Sequence, residues 1–115
     1  MKYSKILISH FLNPKNIGQL REYNAYAEGY NPKDGDTVKV FLLIENDRIK
    51  DISCLIKGCP RAIASASYTT ERVKGMSIKD VTNLDENTIR EGLELLDKRF
   101  DCIPMTLRAI KKALR

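Results

Sequence analysis

The chain has 115 residues, 43% hydrophobic and 30% charged. These figures fit one folded domain over residues 1–115 with a real hydrophobic core, and they exclude a two-domain chain and the low-hydrophobicity signature of disorder. Lys and Arg number 20 against 15 Asp and Glu, a net charge of +5. The basic residues are nevertheless scattered. Their one cluster, Arg108, Lys111, Lys112 and Arg115, suits the C-terminal end of a helix dipole and has no interleaved aromatic stacking platform, so no nucleic-acid partner is expected. No apolar run approaches the ~20 residues of a bilayer span, and Lys2, Lys5 and His10 interrupt any signal-like core before Phe11. The expectation is a cytoplasmic chain with no membrane partner. Its three cysteines, Cys54, Cys59 and Cys102, then point to thiol or metal chemistry rather than a disulfide framework.

Tyr3, Ile6, Leu7, His10 and Phe11 recur at helical spacing, and Asn13-Pro14-Lys15-Asn16 stops that helix. Residues 18–36, rich in Gly, Asn, Pro and Tyr, read as loop with room for one short strand. Thr37 to Glu45 and Arg48 to Lys57 are two strands around Asn46-Asp47, a β-hairpin whose second strand turns Ile52, Cys54 and Ile56 inward. Gly58-Cys59-Pro60 breaks that strand, with Pro60 suited to the first turn of a helix running to about Lys74 and closed by Gly75. Ser77 caps a short helix over Ile78 to Val81, and Asp85 caps another whose stripe is Ile89, Leu93 and Leu96. A last helix from near Pro104 buries Leu107, Ile110 and Leu114. Helix, strands and then a run of helices argue an α+β fold with the helices on one face of a small antiparallel sheet.

Cys59 stands where a strand ends and a helix begins, so its sulfur lies near unpaired backbone N–H groups and the positive end of the dipole, which favour a thiolate. The alternative is a small residue at a tight junction. Cys102, between Asp101 and the last helix, is a second such position. Cys54 lies on the apolar face of a strand and reads as a small core hydrophobe. Asp34 and Asp36 flank Gly35 and by themselves read as a turn with solvated carboxylates. No Cys-x-x-Cys pair gives a zinc motif, and His10, on a helix with apolar neighbours, reads as a satisfied structural histidine.

Together these segments resemble the U-type iron–sulfur cluster assembly scaffolds, the IscU/NifU-like family. The resemblance runs from Tyr3 to Leu114. It is sharpest over Gly58-Cys59-Pro60-Arg61-Ala62-Ile63-Ala64-Ser65-Ala66-Ser67, continuing through Thr70-Glu71 to Val73-Lys74-Gly75, and Tyr3-Ser4, His10-Phe11 and Asn13-Pro14-Lys15-Asn16-Ile17-Gly18 resemble the family's opening helix and turn. It implies a three-stranded antiparallel sheet with helices packed on one face, and a cluster or zinc ion held by three cysteines and an Asp or His. On that pattern Cys59, Cys102 and Asp36 are retained, Asp34 replaces the first Cys, and Asp101 replaces the His. Clusters prefer soft thiolates, whereas zinc tolerates Asp as well as Cys, so Cys59, Cys102, Asp36 and Asp34 are candidate ligands of zinc or of a labile cluster.

The resemblance implies a non-enzymatic scaffold that accepts sulfur and iron and passes a transient iron–sulfur cluster to recipient proteins. A cysteine desulfurase is its sulfur donor and Cys102 the possible persulfide acceptor. The alternatives are a degenerate member that binds a desulfurase or zinc in a regulatory role, and a zinc-dependent sulfur transferase, which would lack its usual acceptor because Asp34 cannot carry sulfur. The family's Leu-Pro-Pro-Val-Lys segment is replaced by Leu95-Leu96-Asp97-Lys98-Arg99. With both prolines gone, no dedicated chaperone reading that segment is expected, and Leu96 is expected to continue the preceding helical stripe.

Overall fold

The computed structural model describes residues 3–115. Helix α1 spans Lys5–Leu12 and opens on Ser4, whose Oγ accepts the Leu7 N–H at 3.0 Å and donates to the Leu93 carbonyl at 2.7 Å. Strands β1 (Ala25–Asn31), β2 (Asp36–Glu45) and β3 (Arg48–Lys57) form an antiparallel sheet in the order β1-β2-β3. The stretch read as mostly loop thus supplies a seven-residue edge strand. Its inner side is Ala25, Ala27, Gly29 and Asn31 and its outer side Tyr26, Glu28 and Tyr30, so no apolar alternation marks it.

Asn46 and Asp47 both take positive φ, 53° and 60°, the geometry of a type I′ hairpin turn. The free edge of β3 is closed by the chain after α1: Cys54 donates its N–H to the Asn16 carbonyl at 2.9 Å and accepts from the Gly18 N–H at 2.8 Å. This pairing covers the middle of that edge.

Helix α2 (Pro60–Val73) crosses the inner face and buries Ala62, Ala64, Ala66, Ser65, Ser67 and Thr70. Such small side chains let helix and sheet approach closely. Two of the buried hydroxyls are satisfied inside, Ser65 by donating to the Ile103 carbonyl and Thr70 to the Ala66 carbonyl at 2.8 Å. His10 Nδ1 lies 2.7 Å from Ser67 Oγ, which also accepts the Lys15 N–H at 2.8 Å, so the histidine pins α1 to α2.

Two short helices follow, α3 (Ile78–Thr82), capped by Ser77, and α4 (Glu86–Gly92), capped by Asp85. Leu96 does not extend the α4 stripe. The helix ends at Gly92, Glu94 takes a positive φ of 54°, and Leu96 is 64% exposed while Leu95 turns inward. Helix α5 (Met105–Ala113) lies under β1 and β2 at Gly29, where an added Cβ would stand 3.0 Å from Val38 Cγ1 and 3.2 Å from Ala109 Cβ. That close approach brings the 97–104 turn to the sheet end where β2 begins and β3 finishes. Among the described residues no helix is long and apolar enough to cross a membrane.

Candidate metal centre

Three segments converge at that end. Asp36 is the first residue of β2, on its inner side and 2% exposed. Cys59 is the N-cap of α2, and Cys102 precedes α5 by three residues. Gly58 lets β3 meet α2 here, because a Cβ on it would overlap the Asp36 carboxylate. Both carboxylate oxygens are held: Oδ1 accepts the Cys59 N–H at 3.0 Å and Oδ2 accepts from Asn31 Nδ2 at 3.0 Å.

The sulfurs of Cys59 and Cys102 lie 3.8 Å apart, and with one Asp36 oxygen they form a set of ligand atoms all within 4.8 Å of one another. A tetrahedral metal with thiolate bonds of about 2.3 Å requires sulfurs roughly 3.8 Å apart. The donor set therefore fits a zinc-like or iron ion without rearrangement of its two sulfurs. Cys59 is half-buried and Cys102 fully buried. Burial, reinforced by the neighbouring Cys59 and Asp36, pushes the Cys102 thiol up to about 12, and Arg61 works against that rise. Without a metal, Cys102 is a neutral thiol at pH 7, and binding must displace its proton.

Asp34 is exposed and is not part of the convergent trio. Its Oδ2 accepts from Asn31 Nδ2 at 3.2 Å, so the same amide bridges Asp34 and Asp36. Asp101 faces the other way, lining a polar hollow with Arg108 and Glu86. Cys54 sits 0% exposed in the core, its thiol pushed up to about 12 by burial alone.

Two neighbours of the centre were assigned no role from the sequence. Asn31 is buried, and its role was hidden in a stretch that reads as loop. Arg61, in the first turn of α2, donates from Nη1 to Tyr3 Oη at 2.9 Å and stacks its guanidinium 4.3 Å over the Phe100 ring. Its Nε–H is buried without a partner. The Tyr3 hydrogen bond raises the guanidinium pKa most, with smaller contributions from Cys102 and Cys59.

Residues 2–115 match the NifU-like N-terminal domain. The chain belongs to that family. Iron-sulfur cluster assembly scaffold protein IscU 1 of Archaeoglobus fulgidus is 30% identical over 113 residues, covering 97% of this chain and 74% of the relative. Iron sulfur cluster assembly protein 1 of Trachipleistophora hominis is 36% identical over 115 residues, covering 97% and 83%. In fold, the N-terminal part of a nitrogen-fixing NifU-like protein from Brucella abortus superposes with a TM-score of 0.84, covering 97% of this chain and 91% of that one at 21% identity. This NifU-like domain shares the three-stranded sheet with helices on one face, but carries an Asp36–Cys59–Cys102 trio with Asp at the first-Cys and His positions.

Proposed function

We propose that this NifU-like protein is a non-enzymatic scaffold for iron–sulfur cluster assembly, with Cys59, Cys102 and Asp36 holding the nascent cluster as cargo. The observation that carries the reading is the 3.8 Å separation of the two sulfurs beside the Asp36 carboxylate. The scaffold names of its relatives support a carrier rather than a catalyst. An oxygen donor beside two thiolates makes the cluster labile, which suits delivery to recipient proteins.

Sulfur arrives from a cysteine desulfurase. A thiolate of the centre attacks the outer sulfur of the donor's persulfide, the donor S–S bond breaks, the donor cysteine leaves as a thiolate, and the persulfide now sits on the scaffold. Cys102 is the proposed acceptor, and because it is fully buried the 97–104 turn must open for the transfer. Radiolabelled sulfur uptake that survives Cys102→Ser and disappears in Cys59→Ser would move the role to the half-buried Cys59.

Anaerobic reconstitution with iron and sulfide tests the whole reading. The wild type is expected to hold cluster and to lose it to an apo-ferredoxin faster than Asp34→Cys does. Retention by Asp34→Cys alone would favour a second reading, also supported by the hard oxygen ligand: a zinc-binding member that regulates a desulfurase without assembling clusters.

A further inference from the structure

We infer that the free edge of β1 takes an added strand, an extended segment of another protein that carries carboxylates at alternate positions. The inference concerns the sheet edge rather than the metal ligands, and it holds whether or not the centre takes a cluster.

The two edges of the sheet differ. The middle of the β3 edge is covered by residues 16–18, through the Asn16 carbonyl and the Gly18 N–H. Strand β1 has no such cover. The Glu28 carbonyl faces Lys112 Nζ on α5, 3.5 Å away, so it points away from β2. Because antiparallel pairs alternate, Tyr26 and Tyr30 turn their N–H and C=O groups the same way as Glu28. Among the described residues no backbone group from outside the sheet pairs with them. Such a row is a template for one more strand.

What lies beside the row selects the occupant. Side chains of an added strand alternate between the two faces of the sheet. On the inner side they meet α5, whose exposed Arg108 and Lys112 stand one turn apart, and Lys33 from the turn after β1. A hollow of about 290 Å³, lined by Gly29, Pro32 and Met105 with Lys33, Arg108 and Asp101, opens at the Tyr30 end. Glu86 is already paired with Arg108, which leaves Asp101 as the one unpaired acid of that lining. The Glu28 side chain lies on the outer face with Tyr26 and Tyr30. Inner-facing carboxylates of the added segment therefore meet cations, and an apolar side chain between them fills the hollow.

The same cations disfavour a second copy on this edge. Pairing β1 with β1 of another molecule would set Arg108 and Lys112 of both copies along one seam, where like charges repel. Position adds a link to the centre. Asn31 ends β1 and holds Asp36 Oδ2 at 3.0 Å, so a segment seated here ends beside the metal ligands.

The test is an NMR titration of the full chain with two capped peptides, Glu-Val-Glu-Val-Glu-Val-Glu and its counterpart with Lys for every Glu. Shifts are expected to group in β1 and α5, with the Tyr26, Glu28 and Tyr30 N–H groups protected from exchange. The Glu peptide should half-saturate at about 10-fold lower concentration than the Lys peptide. Glu28→Pro removes an outward N–H without breaking a ladder bond to β2, and should abolish binding even though it also removes an acid. Lys112→Glu should narrow the preference between the peptides by about 3-fold, the scale of an exposed charge pair, and decides the matter if Glu28→Pro fails to fold. No shift in β1 at millimolar peptide, equal affinity for the two peptides, an unchanged preference in Lys112→Glu, or undiminished binding by folded Glu28→Pro overturns the inference. Analytical ultracentrifugation of the chain alone reads the other occupant. A wild-type dimer that Glu28→Pro splits would assign the edge to a second copy and overturn the inference as well.

Discussion

Cys54 and Cys102 are both 0% exposed, and both thiols are pushed up to about 12. They differ in what surrounds them. Cys54 sits mid-strand in β3 with its backbone N–H and carbonyl tied to the 16–18 segment, and desolvation alone shifts it. Cys102 lies where three segments meet, and the second sulfur, the Asp36 carboxylate and the Arg61 guanidinium all bear on it. Burial makes a thiol inert; convergent donors beside a buried thiol make a place for a metal ion, because the ion supplies the charge that desolvation withholds.

The largest expected effect separates the two directly. Cys59→Ala and Cys102→Ala should each weaken Zn²⁺ or Co²⁺ binding by more than about 100-fold, beyond the range of outer-shell changes. Cys54→Ala should leave metal stoichiometry untouched and cost on the order of 1 kcal/mol of stability through its cavity. Metal analysis after dialysis, together with urea unfolding, reads both. If Cys54→Ala also strips the metal, the distinction between core thiol and ligand thiol collapses.

Next in size is the support of the carboxylate. Asn31→Leu keeps the volume near Asp36 but removes the N–H donor that holds Oδ2 at 3.0 Å, and should weaken metal binding about 10-fold, at the lower end of outer-shell effects. A Co²⁺ competition titration in which Asn31→Leu binds like wild type would show that the Cys59 N–H alone orients the carboxylate.

Proton linkage sharpens the comparison further. In the metal-free protein both buried thiols have folded pKa values of about 12, above the ordinary value of roughly 9. Each therefore contributes stability that is full below about pH 9 and is lost as pH rises toward 12. Metal reverses the dependence at Cys102: binding releases its proton, so affinity should rise with pH from 6 to 8, by up to about 10-fold per pH unit for each proton released. Unfolding curves at pH 8 and pH 11, with and without Zn²⁺, measure both signs. A pH-independent metal affinity would mean that Cys102 is not deprotonated on binding.

Much of this was legible in the sequence because the informative residues repeat or punctuate. The hairpin follows from two β-branched runs around Asn46-Asp47, and α2 from Gly58-Cys59-Pro60 at one end and Gly75 at the other. Strand β1 was less visible because its outward side is Tyr26, Glu28 and Tyr30, while Gly29 on its inner side serves the approach of α5 rather than apolar alternation. Leu96 misled for the opposite reason. Its spacing from Leu93 fits a helix, but Leu93 already closes α4, and helical period says nothing about where a short helix stops. At the centre, the resemblance named Asp36, Cys59, Cys102 and Asp34 as candidates, whereas tertiary contacts decide which of them meet, and Asp34 stays outside the trio. Asn31 lay in a stretch read as loop, and Arg61, though inside the sharpest stretch of resemblance, was given no role there, since an amide and a guanidinium acquire their roles only from the groups brought beside them.

The smallest expected effect concerns Asp34, the residue standing where the family has its first cysteine. Its carboxylate is exposed and reaches the centre only through the Asn31 amide, 3.2 Å from Asp34 and 3.0 Å from Asp36. Asp34→Ala therefore removes a solvated acceptor and leaves the Asn31–Asp36 bond in place, so Co²⁺ affinity should change by less than about 3-fold, within the range of exposed charge interactions. Should Asp34→Ala instead weaken binding 10-fold or more and alter the cobalt spectrum, the turn around Gly35 must swing inward on metal binding and Asp34 is a fourth ligand. That outcome would make the centre a four-donor site built wholly from this chain, so one spectrum decides whether the Asp36–Cys59–Cys102 trio holds its metal with or without Asp34.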